Sequence, residues 1–147
     1  MQAIIFCGIQ ATGKSTFYCQ RLLNSHVRIS LDLLRTCHRE ALLLKFCLDT
    51  QAWFVVDNTN PTAAERARYL GPAKAAGYAV VGYYFNSAAE AALLRNQCRP
   101  PAEQVPERGI RGTRARLELP RYEEGFDELY FVRIDDRGHF VVEPWQV

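Results

Sequence analysis

The residues with the clearest chemistry lie near the start of the chain, between Gly8 and Ser15. This segment reads Gly-Ile-Gln-Ala-Thr-Gly-Lys-Ser and follows a short apolar run that is typical of a buried strand. Its two glycines allow backbone N–H groups to turn inward around phosphate oxygens at a helix N-terminus. The lysine can reach the β- and γ-phosphates, and the serine hydroxyl can bind Mg²⁺. The segment therefore predicts a nucleoside triphosphate site.

The spacing G-x-x-x-x-G-K-S is the pattern of a phosphate-binding loop, or P-loop. A helical pattern follows it directly, as this chemistry requires. The sequence therefore predicts that the protein binds ATP and Mg²⁺, with Lys14 taking part in catalysis and Ser15 as the metal ligand. The loop residues and the next residue, all predicted to bind ATP, are Gly8, Ile9, Gln10, Ala11, Thr12, Gly13, Lys14, Ser15 and Thr16.

Missing or misplaced motifs and the short length of the chain exclude several classes of P-loop protein. A switch GTPase should have DxxG after its third strand and a guanine-reading NKxD motif. DxxG occurs here at 135–138, but in a predicted hairpin near the C-terminus, and NKxD is absent. A dinucleotide-binding protein should carry G-x-G-x-x-G, which the loop lacks. A chain of 147 residues is too short for a large motor. A small kinase remains.

A kinase must also hold the hydroxyl that accepts the phosphoryl group. Asp32 directly follows a short predicted strand, at the carboxyl edge of the sheet where ligands bind in open α/β folds. Arg35 is three residues further on, which predicts that both side chains share one face of a helix. Asp32 can act as a general base, and Arg35 can hold an anionic acceptor. The alternative is that Asp32 only caps the helix and pairs with Arg35.

The elements that must position these residues alternate between strands and helices, which predicts an α/β fold with a central parallel five-strand sheet flanked by helices. The predicted strands span 3–7, 26–30, 52–57, 79–85 and 129–134, and a turn at 135–138 leads into 139–142. The predicted helices span 14–24, 31–48, 60–77 and a stretch that opens at Ser87. Gly71–Pro72 is expected to kink or interrupt the third helix midway, and Ser87 with Glu90 forms the pattern of a capping box.

Length and composition predict one globular domain over 1–147, with 48% hydrophobic and 23% charged residues. The net charge is only +2, but 95–121 carries seven arginines against three glutamates, and 122–147 carries two against seven acids. A basic segment beside an acidic tail indicates a polyanion site on one side. Five cysteines without metal-site spacing predict neither a disulfide framework nor a zinc site, hence a reducing cytoplasm. No apolar run approaches the ~20 residues of a membrane span.

Taken together, these motifs closely resemble the kinase domain of 5′-polynucleotide kinases, from Met1 to about Phe126. The segments that carry the resemblance are Gly8–Ser15, Asp32–Arg35, Asp57–Pro61, Ala64–Tyr69, Ala75–Gly77, Arg95–Arg99 and Val105–Pro106. The resemblance implies that Asp32 is the general base and that Arg35 engages the phosphate of the acceptor. It also implies that Arg95 and Arg99 contact the nucleotide donor from a lid, at about 95–120, and that Arg99 takes part in catalysis.

The acceptor implied by this family is the 5′-hydroxyl end of DNA or RNA. The residues predicted to lie on the acceptor side are Asp57, Asn58 and Thr59, although each of them also suits a turn before the next helix. Arginines at 95 and 99 could instead complement a helix dipole. The arginines at 108, 111 and 114 could track a nucleic-acid backbone or form a solvated face.

Two other functions remain open at this point. One is a kinase of a small-molecule or tRNA-linked hydroxyl, of the seryl-tRNA, sugar or toxin type. The other is a nucleotide-binding interaction module without phosphoryl transfer. The stretch between Asp32 and Asp57 is shorter than in the phage member of the resembled family, and it helps to shape the acceptor pocket.

Overall fold

The computed structural model describes residues 1–146 and is built around one six-stranded sheet. Its strands are β1 (Gln2–Cys7), β2 (Val27–Ile29), β3 (Phe54–Val56), β4 (Ala79–Phe85), β5 (Glu128–Ile134) and β6 (Phe140–Pro144). The strand order is β2-β3-β1-β4-β5-β6, and all neighbouring pairs are parallel except β5 with β6. The predicted sheet of five parallel strands is therefore confirmed. The hairpin that follows it adds an antiparallel sixth strand at one edge.

Six α-helices connect and cover the strands. They are α1 (Lys14–Arg21), α2 (Leu31–Leu34), α3 (Cys37–Thr50), α4 (Ala63–Ala75), α5 (Ala89–Gln97) and α6 (Glu107–Arg116). Two single 3₁₀ turns, Pro101–Glu103 and Tyr122–Glu124, lie on either side of α6. Within 1–146 no helix combines the length and the apolar character that crossing a bilayer would require.

The central strands β1, β3 and β4 are buried on both faces, which explains why they read as near-continuous apolar runs. On one face Ile5, Phe54 and Val56 pack with residues of α3 and α4. On the other face Phe6 and Phe85 pack edge-on against Phe17 of α1, with ring centroids 5.9 and 5.4 Å away. A third, smaller cluster lies under α5 and α6. Ile9 and Ala11 of the loop after β1 belong to this third cluster.

The single helix predicted over 31–48 is wrong, because the chain breaks after one turn. Helix α2 ends at Leu34, and Arg35 has a φ of +76°. A new helix, α3, then begins after Thr36, whose side chain accepts a hydrogen bond from the Arg39 backbone N–H at 3.1 Å. A hydroxyl cap at this position competes with continued helix. Because Arg35 lies outside α2, it does not share a helix face with Asp32 as the three-residue spacing predicted.

The boundaries of α4 also differ from the prediction. Its N-cap is Thr62, which forms a capping box with Glu65, and not Asn60. Asn60 instead donates its side-chain N–H to the Phe6 backbone carbonyl at 2.8 Å, so it ties the end of β3 to β1. The helix continues through Pro72 to Ala75 without interruption. Pro72 is exposed in the last turns, where the ring meets solvent and only one helical N–H is lost.

The capping box predicted at Ser87 is likewise wrong. Helix α5 has Ala88 as its N-cap and no side-chain cap. The Ser87 hydroxyl instead accepts from the Ile9 backbone N–H at 3.1 Å and donates to the Phe85 carbonyl at 2.8 Å. Helix α6 forms even though it contains two glycines, because Ile110 is fully buried and tertiary packing outweighs weak helix propensity.

Candidate active site

The loop between β1 and α1 has the backbone of a phosphate cradle. Ala11 and Gly13 adopt positive φ values of +61° and +93°. A Cβ atom at Gly13 would lie 2.8 Å from the ring of Phe140 on β6, so only glycine fits there. Gly8 is required for a similar reason, since a Cβ atom would lie 3.0 Å from that of Phe85. The predicted loop is therefore fixed by close approach on two sides.

Lys14 is buried beneath this loop, with only 8% of its surface exposed. Its Nζ donates hydrogen bonds to the backbone carbonyls of Gly8 and Ile9, at 3.0 and 2.6 Å. Burial lowers the pKa of Lys14 to about 8, against a smaller raising effect of the nearby Asp57 carboxylate. The ammonium group is thus poorly solvated and bonded only to its own loop. A bound polyphosphate would supply the anionic partner that it lacks.

This pKa leads to a prediction about nucleotide binding and pH. If Lys14 must be charged to hold the phosphates, ADP affinity should fall by up to about tenfold per pH unit above pH 8. Calorimetric titration of ADP between pH 6.5 and 9.5, ~3 units in all, measures this. Lys14→Arg, which stays charged, should show a flat profile over the same range. An equally steep fall in that variant would contradict the assignment.

The lowered pKa of Lys14 also determines how the stability of the protein changes with pH. The pKa in the folded protein lies below the ordinary value of 10.5, so the unfolded chain binds the proton more readily between about pH 8 and 10.5. The contribution of Lys14 to the free energy of unfolding should therefore rise with pH through this window. As the pH rises through this window, the affinity for ADP is therefore expected to fall while the contribution of Lys14 to the free energy of unfolding rises.

Ser15 and Asp57 meet at the end of the loop. The Ser15 hydroxyl donates to Asp57 Oδ2 at 3.0 Å, and Arg28 Nε donates to the same oxygen at 2.8 Å. Asp57 directly follows β3, the neighbour of β1, and its side chain is only 3% exposed. The described contacts of its carboxylate are with these two residues, so it does not cap the turn before α4. Arg28 was not singled out from the sequence, where it is one arginine in an apolar strand.

Asp32 and Arg99 lie on the wall of the same cavity as the loop. The residues that follow β3, one residue of α2 and two residues of the segment between α5 and α6 complete this wall. Its full lining is Gln10, Ala11, Gly13, Lys14, Ser15, Thr16, Asp32, Asp57, Asn58, Thr59, Arg99 and Val105. The structure therefore brings together most of the residues predicted to bind ATP, the acceptor or metal. Arg35 is exposed and does not line this cavity.

Asn58 positions the short helix that carries Asp32. Its side-chain Oδ1 accepts from the Leu31 backbone N–H at 2.9 Å, at the start of α2. Its Nδ2 donates to Glu40 Oε2 at 2.9 Å, and Tyr69 donates to the other oxygen of Glu40 at 2.7 Å. These bonds couple α2 to α3 and α4. The predicted contact of Asn58 with the acceptor stays a prediction, whereas its bonds to α2 are part of the fold.

A second cavity adjoins the first on the side of the hairpin. Both arginines predicted to contact the donor, Arg95 and Arg99, lie on its wall, and Arg95 Nη1 donates to the Ala11 carbonyl at 3.4 Å. The complete lining is Ala11, Gly13, Thr16, Gln20, Arg95, Arg99, Ile134, Gly138 and Phe140. The sequence analysis did not predict four of these residues, which are Gln20, Ile134, Gly138 and Phe140. The only available signal for them was the predicted turn at 135–138, which does not show where the hairpin packs.

Comparison with known proteins gives one sequence relative and a set of structural neighbours. No family model matches the sequence. The chain is 26% identical over 132 residues to the bifunctional polynucleotide phosphatase/kinase of Schizosaccharomyces pombe (strain 972 / ATCC 24843). The match covers 87% of this chain and 32% of that protein, so the chain spans about a third of its relative's length.

Two solved structures share the arrangement of strands and helices. Kti12 from Chaetomium thermophilum, in complex with ADP-AlF3, superposes over 92% of both chains with a TM-score of 0.69 and 16% identity. A gluconokinase from Sinorhizobium meliloti 1021 superposes over 90% of this chain and 82% of its own with a TM-score of 0.62 and 17% identity. At these identities the two structures show a P-loop kinase-type fold and no more. The chain is thus similar in sequence to one polynucleotide phosphatase/kinase and similar in fold to P-loop kinases.

Proposed function

We propose that the protein transfers the γ-phosphoryl group of ATP to a hydroxyl group, and that this hydroxyl is the 5′ end of a DNA or RNA strand. The observation that supports this best is a single cavity that Lys14, Ser15 and Asp32 line together. An enzyme of this class needs a donor cradle and a base that share one space. A nucleotide-binding module without transfer does not need a carboxylate such as Asp32 in that space.

The donor would lie across the two adjoining cavities. The phosphates would lie along the loop, where Lys14 would exchange its carbonyl partners for phosphate oxygens. Arg95 and Arg99 would contact the donor from α5 and from the segment after it, the proposed lid at 95–120. The nucleoside would point toward the hairpin side, at Phe140. Arg99 lines both cavities and is therefore suited to stabilise the charge that spreads over the transferring group.

The oxygen atoms at the end of the loop fit a magnesium ion. Ser15 offers a hydroxyl and Asp57 a buried carboxylate, and hard oxygen ligands of this kind, with substrate phosphates, are what Mg²⁺ prefers. When bound, Mg²⁺ would neutralise charge on the phosphates of the donor. Ser15 would bind the ion directly, and Asp57 would accept hydrogen bonds from the water molecules that the ion keeps.

On the acceptor side, Asp32 would accept the proton of the attacking hydroxyl. It is exposed on the first turn of α2, which Asn58 holds at the edge of the cavity. Thr59 lies on the same wall and could donate a hydrogen bond to the acceptor phosphate. Arg35 would have to engage that phosphate from outside the present wall, with its side chain turned toward the acceptor. In-line attack then depends on position and charge more than on covalent chemistry.

Transfer of labelled γ-phosphate from ATP tests this proposal. The substrates are a 5′-hydroxyl oligonucleotide, the same oligonucleotide with a 5′-phosphate, and gluconate as a small hydroxyl compound. Label on the first and none on the second is the expected result. ATP turnover only with the small compound would support a small-molecule kinase. Nucleotide binding with transfer to none of the acceptors would favour an interaction module.

A nucleic-acid acceptor predicts a particular salt dependence. Arg108 and Arg114 on α6 are exposed and form no ion pair within 1–146, whereas Arg111 pairs with Glu107 at 2.8 Å. The combined change Arg108→Gln and Arg114→Gln should weaken oligonucleotide binding and reduce its log–log salt slope by about 1.4, since each contact to a single strand contributes about 0.7. Fluorescence anisotropy between 50 and 200 mM salt, about a fourfold range, measures the slope.

The matched control for this experiment is Arg133→Gln, which removes an exposed arginine that pairs with Glu143 on the hairpin. Its salt slope should equal that of the wild type. Equal slopes in all three proteins would mean that α6 does not contact the nucleic-acid backbone.

A further inference from the structure

A guanidinium group that the proposed mechanism does not use lies against the two residues that would hold Mg²⁺. Arg28 Nε donates to Asp57 Oδ2 at 2.8 Å, and Arg28 Nη2 donates to Ser15 Oγ at 3.0 Å. The Ser15 hydroxyl in turn donates to the same carboxylate oxygen at 3.0 Å. The three side chains therefore form a closed triangle of hydrogen bonds at the end of the P-loop.

The fold fixes Arg28 in this place. It is the middle residue of β2, and its register partner on β3 is Val55, so both side chains point to the α1 face of the sheet. Its guanidinium carbon lies 5.8 Å from the ring centroid of Tyr18, within range of a cation–π contact. Tyr18 is itself held by a hydrogen bond from its hydroxyl to the His26 carbonyl at 2.8 Å. With 27% of its side chain exposed, Arg28 is more confined than an ordinary surface arginine.

The contacts of Arg28 engage the same oxygen atoms that a metal ion would need. The Ser15 hydroxyl donates a hydrogen bond to Asp57 and accepts one from Arg28. Asp57 Oδ2 accepts from both neighbours. A divalent cation bound to Ser15 would share the hydroxyl oxygen with Arg28, and it would also lie close to a fixed positive charge. Both effects oppose metal binding.

We propose that Arg28 is a positioning residue that neutralises Asp57 and orients Ser15 in the metal-free protein, and that it competes with the divalent cation for these oxygens. This inference rests on the proposed function, because it concerns the metal that accompanies the nucleotide. Its consequence is an order of binding. With metal affinity lowered by Arg28, Mg²⁺ binds together with the phosphates of the nucleotide and not before them.

The test is a magnesium titration of the protein at saturating ADP. The thermal unfolding temperature is measured at each Mg²⁺ concentration, and its shift gives the half-saturating concentration. Arg28→Met should lower the half-saturating Mg²⁺ concentration by about tenfold, since one opposing charge has been removed nearby. Arg28→Lys keeps the charge and should stay within about twofold of the wild type. Arg133→Met is the matched control, because it removes a partly exposed arginine that pairs with Glu143 and lines neither cavity.

A second measurement separates competition from a merely structural role. Without metal, Arg28→Met should unfold at a lower temperature than the wild type, because the buried Asp57 carboxylate loses its partner. Saturating Mg²⁺ and ADP should restore more stability to this variant than to the wild type. Arg28→Gln, which keeps hydrogen-bond donors without the charge, serves if the methionine variant does not fold, and should show the same lowered half-saturation.

The outcomes are distinct. A half-saturating Mg²⁺ concentration that is unchanged or raised in the uncharged variants overturns the competition, while the proposed function stands. Absence of any response to ADP and Mg²⁺ in the wild type itself contradicts the proposed function and the inference with it.

Discussion

Asp32→Asn should lower phosphoryl transfer at least about 100-fold, the usual contribution of a positioned general base. Asparagine has nearly the same shape, but it cannot accept the proton of the attacking hydroxyl. The side chain lines the same cavity as the P-loop and is exposed, so its replacement leaves no buried group unpaired. The variant should therefore fold normally and bind ADP with wild-type affinity.

Single-turnover transfer to the 5′-hydroxyl oligonucleotide measures this effect directly. Asp49→Asn is the matched control, since it removes an exposed carboxylate at the end of α3, far from either cavity lining. That variant should retain full activity. If Asp32→Asn instead raised the KM for the oligonucleotide and left kcat within about threefold, Asp32 would bind the acceptor and would not serve as its base.

Arg66→Met should lower the free energy of unfolding by about 3–5 kcal/mol, the usual cost of breaking a buried ion pair from one side. Arg66 is fully buried and forms two hydrogen bonds with the Glu124 carboxylate, at 2.8 and 3.0 Å. It also donates to the Asn60 carbonyl at 3.0 Å. Its loss would leave Glu124 without its cation and loosen Asn60, which ties the end of β3 to β1.

Equilibrium unfolding in urea measures this difference. Lys74→Met is the matched control, because Lys74 forms an exposed ion pair with Asp127 at 2.8 Å and should cost no more than about 1 kcal/mol. Adding Glu124→Leu to Arg66→Met should recover much of the loss, since no unpaired charge then remains. A cost for Arg66→Met as small as that of the control would mean that the buried pair adds little to stability.

The sequence by itself determined the parts of this protein that depend on local spacing. The order of residues from Gly8 to Ser15 defines the phosphate loop, because the chemistry needs a lysine and a hydroxyl directly after a tight glycine turn. Apolar runs that alternate with helical patterns were enough to predict the parallel sheet. The turn before residue 139 was enough to predict the hairpin.

Predictions made from local spacing were wrong at two places along the chain. Ser87 and Glu90 have the spacing of a capping box, yet the Ser87 hydroxyl bonds to the backbone of Ile9, 78 positions away in the chain. Asp32 and Arg35 have the spacing of one helix face, but the chain turns at Arg35 after a single turn. The partner of Ser87 lies far away in sequence, whereas the break at Arg35 is followed directly by the local cap of α3 at Thr36.

The candidate site as a whole was decided by tertiary structure. Parallel pairing of β2 with β3 brings Arg28 to Asp57, and β1 lies beside β3, which brings Asp57 to Ser15. Folding of the hairpin back onto the P-loop places Phe140 against Gly13 and completes the second cavity. A linear pattern specifies which residues lie at the edge of the sheet, whereas strand order and packing decide which of them touch.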